Sequence, residues 1–493
     1  MDEEKLKIQM SNAAVWSGVT QIASKIVVPI TNIILARILT PEAFGIVATF
    51  NVIISFANIF TDAGFQKYII QHEFKSQEDL FSSLNVAFWT NFIFSCLIWI
   101  DVFVCRGKIA SLMGIQGNEE GVIIACLVIP FTSFSSIQTA LFGRNFNYKV
   151  LFWVKLITSI IPLVVTVPLA IYFRNYWALV WGTIIKEAVQ AILLTWMSPW
   201  KPKLMYSRKQ FISMFSFSVW TLLEQIAIWL TGNIDILFVT QLFNQYYVGI
   251  YKTSMSTVSS IFSLLHSALT PILFAALSRS QNCDNRFRAI YYKFQRLTAI
   301  LIIPLGVGSF LYRNLITEIL LGAQWKEASG FIGIWSLALC CSIVFSYYNS
   351  EVIRSKGQPK LSLVIQICAL LGISILFNVG KEWDFKDIYI GRSFIPIIMI
   401  ATSSIIVYKK YRISIFTALK NLFPIFVSTG GMAILGIVLQ KLSNNTIFQL
   451  ASILICVGGY FTILFLFPNM REEIKSVPFV TKILNKLKSL INM

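Results

Sequence analysis

Four cations stand inside runs of residues that otherwise belong in lipid. Lys25 and Lys186 sit midway along such runs, and Lys252 and Arg392 lie nearer the ends of theirs. Acidic and amide side chains share these stretches, namely Asp62, Glu187, Glu224, Asn233 and Asp235. A charge at the centre of a membrane helix costs roughly 2.5–3.5 kcal/mol on insertion scales, so it persists where it pairs or faces a cavity. Lysine binds a phosphate as a point charge, and arginine grips one with two parallel hydrogen bonds. A cationic interior of this kind suits an anionic substrate such as a pyrophosphate. The carboxylates offer two other roles, carrying a coupling ion (H+ or Na+) or neutralising the cations. Lys186–Glu187 reads equally as a structural ion pair. Lys155 and Arg296 lie near helix ends and read as snorkelling to the interface. His266 reads as a hydrogen-bonded bundle residue rather than a proton relay.

The elements that hold these groups follow from composition. The chain has 493 residues, 56% hydrophobic and 13% charged, with a mean hydropathy of +0.70. Soluble domains carry about 25% charged residues, so lipid is the solvent here. A bilayer core about 30 Å thick needs roughly 20 apolar residues per helix. About fourteen runs of that kind occur: 12–38, 43–70, 80–104, 120–142, 151–173, 176–197, 211–241, 247–276, 295–313, 328–353, 361–380, 387–408, 421–440 and 446–467,. Their connections are too short for a folded domain outside the membrane. Stretches such as LSLVIQICALLGISILFNVG (361–380) are apolar on every side, which excludes the alternation of a β-barrel,. Each backbone group is then satisfied within its own helix.

The net charge of +18 is topological. Lys and Arg assigned to loops favour the N-terminal side by about three to one, which places both termini in the cytoplasm,. Nothing marks a nucleic-acid surface. The acidic, polar start MDEEKLKIQM is not a cleavable signal, and the first run reads as an uncleaved insertion signal,. The tail VTKILNKLKSLINM sets Ile483, Leu484, Leu487 and Ile491 on one face, an amphipathic helix for the anionic inner leaflet,. Eight cysteines without CxxC spacing read as small buried hydrophobes, with no disulfide framework or metal site,.

One line is written twice. VWSGVTQIA (15–23) returns as VWTLLEQIA (219–227), and residues 15–49 aligned without gaps on 219–253 match at nine positions, among them Trp16/Trp220, Gln21/Gln225, Gly45/Gly249 and Thr49/Thr253. Six runs separate the copies, an even number, so both cross the membrane in the same direction. That is a parallel repeat about an axis along the membrane normal. The expected architecture is all-α: an N-terminal six-helix lobe (1–198), a basic cytoplasmic linker (199–210), a second six-helix lobe (211–408), two appended helices (409–467) and an amphipathic tail (468–493). Two such lobes around a central site imply alternating access. No GxGxxG, P-loop, HExxH or GxSxG occurs, so nothing points to catalysis or to a cofactor,.

Several strings resemble a known family. ILARILTPEAFGIVATF (34–50), TDAGFQKYIIQ (61–71), FGRNFNYK (142–149) and NYWALVWG (175–182) resemble the N-terminal half of Wzx-type polysaccharide exporters. GNIDILFVTQLFNQYYVGIYKTS (232–254), PILFAALSR (271–279), LLGAQWKEA (320–328) and RSKGQPKLSL (354–363) resemble the C-terminal half. The similarity spans about residues 10–410 and is strongest to the branch holding the WzxC and teichuronic-acid exporters, within the superfamily that includes lipid II flippases and MATE exporters. It implies a flippase of the bacterial cytoplasmic membrane that moves an undecaprenyl-pyrophosphate-linked oligosaccharide from the inner to the outer leaflet. Membrane lipids and polysaccharide assembly proteins are the implied partners. By position, Asn233 and Asp235 fall on the family's N-x-D, Gly249 and Tyr251 on its G-x-Y, and Pro41 and Gly45 on its turn between the first two helices. These turn residues read as structural, with Gly permitting the turn and Pro setting it. Two other readings compete. A MATE-like exporter coupled to H+ or Na+ would need a carboxylate-dominated cavity. A scaffold or polymerase would need, in the latter case, a large periplasmic loop that the sequence lacks.

Overall fold

A computed structural model of the chain describes Trp16 and residues 27–62, 65–280, 283–443 and 445–475. Lys25, most of the first copy of the repeated line and the tail beyond 475 lie outside the described residues. Every regular element within them is helical: α1 (Val27–Ile38), α2 (Pro41–Asp62), α3 (Phe65–Gln71), α4 (Gln77–Leu112), α5 (Glu119–Cys126), α6 (Val128–Arg144), α7 (Tyr148–Ile161), α8 (Val167–Phe173), α9 (Trp177–Met197) and α10 (Arg208–Leu242). There follow α11 (Gln245–Arg279), α12 (Asp284–Leu311), α13 (Arg313–Leu320), α14 (Ala328–Cys341), α15 (Tyr348–Ser355), α16 (Pro359–Val379), α17 (Phe385–Tyr411), α18 (Ile415–Leu442), α19 (Thr446–Phe465) and α20 (Pro468–Lys475). Among the described residues, 11 helical segments are long and apolar enough to cross a membrane. The described parts of the apolar runs read from the sequence are helical apart from a turn at Leu127 and residues at run ends. Two runs are less regular than expected. The helix through 148–173 and the helix through 328–355 each pass through one widened π-helical turn, Pro162–Thr166 and Ser342–Tyr347. Proline at 162 removes a backbone donor from its helix, a known cause of such a defect.

By internal contact the chain divides into two units, Met1–Thr253 with Leu320–Trp325, and Ser254–Ile319 with Lys326–Met493. In the first, α6 packs against α4 and α9, and α10 against α2. In the second, α12 packs against α14 and α18, α16 against α17 and α18 against α19. Contact thus groups α10 with the helices before it, whereas the repeat assigns it to the second lobe. The repeat concerns sequence offset and the contact division concerns which residues touch.

Both units distribute polarity as lipid requires. Trp196, Phe416, Ile447 and Leu454 stand more than 70% exposed, while Ser83, Gln138, Ser254 and Ser403 are fully buried. With lipid as apolar as leucine, helices associate through small residues and hydrogen bonds rather than by hiding apolar surface. Ser95 and Ser133 illustrate this, their hydroxyls meeting at 2.8 Å between α4 and α6.

The repeat also has a structural signature. Pro41 opens α2 and Gln245 opens α11, and these residues correspond at the offset that pairs Gly45 with Gly249. The helices cross there so closely that a Cβ on Gly45 would lie 1.8 Å from the Gln245 carbonyl oxygen. A Cβ on Gly249 would lie 1.8 Å from the Pro41 carbonyl oxygen. Each glycine therefore meets the residue equivalent to the one its counterpart meets, as a local two-fold relation demands. Proline at the first position of α2 is as expected, since its missing N–H has no intrahelical acceptor there. Gly45 is not a turn residue, contrary to the sequence reading. It lies inside α2, and its role is close approach. Thr49, one turn on, bonds the Gln245 side chain at 3.0 Å, and the Gln245 amide donates to the Gly114 carbonyl at the end of α4 at 3.0 Å.

Candidate functional site

Lys186 and Glu187 lie near the middle of α9. Successive residues on a helix point about 100° apart and do not ordinarily face each other. Lys186 nonetheless folds back so that its Nζ meets Glu187 Oε1 at 2.7 Å. Glu187 is buried, and Lys155 of the neighbouring α7 lies within electrostatic reach of both. Two cations and one carboxylate thus share this part of the first unit.

A second group joins the end of α10 to the start of α11. Asp235 is 2% exposed and accepts from the Tyr251 hydroxyl at 3.0 Å and from the Ile236 backbone N–H at 2.9 Å. Lys252, beside Tyr251, lies within electrostatic reach of Asp235. Asn233 turns its amide to the Trp229 carbonyl at 3.1 Å, a bond within its own helix. The N-x-D and G-x-Y strings are therefore two halves of one clasp: Asp235 holds Tyr251, and Gly249 lets α11 approach α2. Tyr251→Phe removes one donor from a buried carboxylate and should destabilise the fold by about 1–3 kcal/mol. Thermal unfolding of the detergent-purified variant, compared with wild type, reads that loss.

Arg392 belongs to the second unit. It is buried on α17 with its guanidinium 5.1 Å from the ring centre of Trp335 on α14. Such a cation over an aromatic face is favourable by about 2 kcal/mol or more when water is excluded. Arg296, read as snorkelling, instead forms a two-pronged ion pair. Its Nε and Nη2 each lie 2.8 Å from a carboxylate oxygen of Glu473 on α20. Nothing local to Arg296 announces this pair, because the partner stands far along the chain and outside the apolar runs. The side chains of Asp62, Glu224 and His266, like Lys25, lie outside the described residues.

The structure thus brings Lys186 together with Glu187 and Lys155, and Asp235 with Tyr251 and Lys252. Each unit also holds a neutral polar group. In the second unit Tyr291 donates to Asn349 at 2.8 Å, and the Asn349 amide reaches Ser403 and Ser404 at 3.1 and 3.2 Å. Gln295 reaches the Val344 carbonyl within the π-helical turn at 3.0 Å. In the first unit, neutral side chains of α2, α3, α6 and α10 line a cavity of about 310 Å³. A search for intramembrane charge passes over both. Their signal, amides recurring within apolar runs, was present.

This arrangement of helices is known. The structure of a lipid II flippase, MurJ, in an inward closed conformation superposes with a TM-score of 0.72 at 15% identity, over 91% of this chain and 98% of that one. A multidrug resistance MATE family transporter of the MOP superfamily, inward-facing, gives a TM-score of 0.60 at 12% identity, over 83% and 99%. The fold of this multi-helix membrane chain is shared with both structures. Residues 34–330, more than half of the chain, match the family described as polysaccharide biosynthesis protein, and the chain belongs to that family. A membrane protein in the cps region of Klebsiella pneumoniae is 21% identical over 77% of this chain and 78% of its own length. The lipopolysaccharide biosynthesis protein WzxC of Escherichia coli (strain K12) is 22% identical over 77% and 74%.

Proposed function

We propose that this protein is a flippase of the bacterial cytoplasmic membrane, moving an undecaprenyl-pyrophosphate-linked oligosaccharide from the inner to the outer leaflet for surface polysaccharide synthesis. The observation that carries the reading is the family match over residues 34–330, on a chain whose fold is shared with a lipid II flippase. A MATE-like cation-coupled exporter has the support of fold alone.

In the proposed cycle the two lobes rock about the substrate, turning its polar head from one leaflet to the other while the isoprenoid tail stays in lipid. Lys25, Lys186, Lys252 and Arg392 are the proposed cations for the pyrophosphate. Lys186 carries the strongest case among those described, because Lys155 adds a second positive charge beside it. Asp62, Glu224 and Asp235 are the carboxylates proposed for any coupling to H+ or Na+. No catalytic step enters the mechanism.

The test is a leaflet-resolved measurement of lipid-linked glycan in cells depleted of the protein, with and without re-expression. Accumulation on the cytoplasmic side, reversed by the wild-type chain, is the expected result. Unchanged distribution together with altered sensitivity to cationic drugs would replace this reading with the exporter.

A further inference from the structure

The cavity of about 310 Å³ in the first unit is unlike the charged groups of the same unit. Ser55 and Asn58 of α2, Gln66 of α3, Thr132 and Ser136 of α6, and Gln225 of α10 line it, and none of the described lining residues carries a charge. Hydroxyls on membrane helices commonly bond their own backbone, and these do. Ser55 donates to the Val52 carbonyl at 3.0 Å and Ser136 to the Ser133 carbonyl at 2.9 Å. Ser136 also accepts from the Asn91 amide at 3.3 Å, which leaves its oxygen one further lone pair,. Thr132 lies 3.0 Å from Asn58 Oδ1, which orients the asparagine and leaves its NH2 as a donor. The indole N–H of Trp229, one turn beyond Gln225, reaches the Ser55 hydroxyl at 2.9 Å, and its ring rests on Phe56 at 4.8 Å. Among the described residues, the Gln66 and Gln225 amides have no protein hydrogen-bond partner.

A wall that mixes donors and acceptors without charge is selective by chemistry. A pyrophosphate calls for cations or a converging set of N–H donors, and a cationic drug calls for a carboxylate. A polyol calls for this wall, since each of its hydroxyls both donates and accepts. The volume lies at the low end of the roughly 300–1,000 Å³ of small-molecule sites, the size for one sugar residue rather than a chain. Gln66 and Gln225 are only partly buried, so their amides are open to a ligand or to water,.

We infer that this cavity is a sugar subsite, which holds one residue of the transported glycan through Asn58, Gln66, Thr132 and Gln225. The inference rests on the flippase reading and adds to it a site for the glycan separate from the cations. It makes the sugar, and not only the lipid pyrophosphate, a determinant of binding.

The experiment measures binding to the full-length, detergent-purified chain by native mass spectrometry. The probes are undecaprenyl pyrophosphate and the same lipid carrying glucose, galactose or N-acetylglucosamine. At least one sugar-bearing lipid should bind about tenfold tighter than the bare one, the equivalent of two ordinary hydrogen bonds. Gln66→Leu with Gln225→Leu should abolish that advantage without changing binding of the bare lipid or the unfolding temperature, because among the described residues neither amide bonds to the protein. Thr132→Val should weaken it as a second, separate probe. Equal binding of all lipids by the wild-type chain, or an advantage that survives the paired leucine variants, would overturn the sugar subsite and leave the flippase reading standing. Failure of every lipid to bind would overturn both.

Discussion

Gly45→Ala should lower the unfolding temperature of the purified protein by several degrees, and Gly249→Ala should do the same. The reason is geometric. Each new Cβ would fall 1.8 Å from a backbone carbonyl oxygen of the opposing helix, Gln245 for one and Pro41 for the other. A flexible side chain could swing aside, but a carbonyl is held by its helix, so α2 and α11 must separate. Overpacking typically costs 1–3 kcal/mol, and an obstacle fixed in the backbone places these two at the upper end, about 3 kcal/mol each. The loss would extend beyond the glycines, because separation also stretches the Thr49–Gln245 bond and the Gln245 link to the end of α4. The double variant makes the sharper prediction. Once either alanine has parted the helices, the other meets open space, so the two costs should add to clearly less than their sum. Thermal unfolding of the three variants in one detergent measures this. Strict additivity would mean that the glycines sit in separate contacts and that the local two-fold relation is not what joins them.

Gly45 also shows where sequence reasoning stopped. Pro41 and Gly45 together resemble a turn, and for Pro41 that was close to the truth, since it opens α2. A glycine in an apolar run has two explanations, a backbone bend or a near neighbour, and only the position of the second helix decides between them. Helix placement was legible because hydropathy over about 20 residues is a property of the chain itself. The repeated line was legible for the same reason, and the matching starts of α2 and α11 give it a structural counterpart. Charge pairing was not. The depth of Lys186 and Arg296 could be counted along the run, but Glu473 lies 177 residues beyond Arg296, and nothing local announces the pair. The neutral cavity was hidden by its own chemistry. Ser55, Thr132 and Ser136 satisfy themselves on their own helices and so are tolerated in apolar segments without the penalty that draws the eye to a lysine.

The Lys186–Glu187 pair carries the second large prediction, because the two explanations of it part company under mutation. Lys186→Ala leaves the buried Glu187 carboxylate without the ammonium now at 2.7 Å. Breaking a buried pair from one side costs about 3–5 kcal/mol, and the half-exposed lysine places this case at the lower end. Loss of stability and loss of export would then coincide and say nothing about the substrate. Lys186→Ala with Glu187→Gln removes both charges and the stranded carboxylate, so folding should recover to near wild type. Export should not. A lysine that bears on a pyrophosphate supplies a charge-assisted contact of about 1.5–3 kcal/mol, and its removal leaves export at about a tenth of wild type or less. Lys186→Arg, which keeps the charge, should retain most of it. Leaflet-resolved accounting of the lipid-linked glycan, normalised to folded protein in the membrane, gives the comparison. Export that returns with stability in the doubly neutral variant would make the pair a structural element and remove Lys186 from the substrate path. Lys155 would then be the cation on that face left to examine, with its charge no longer shared.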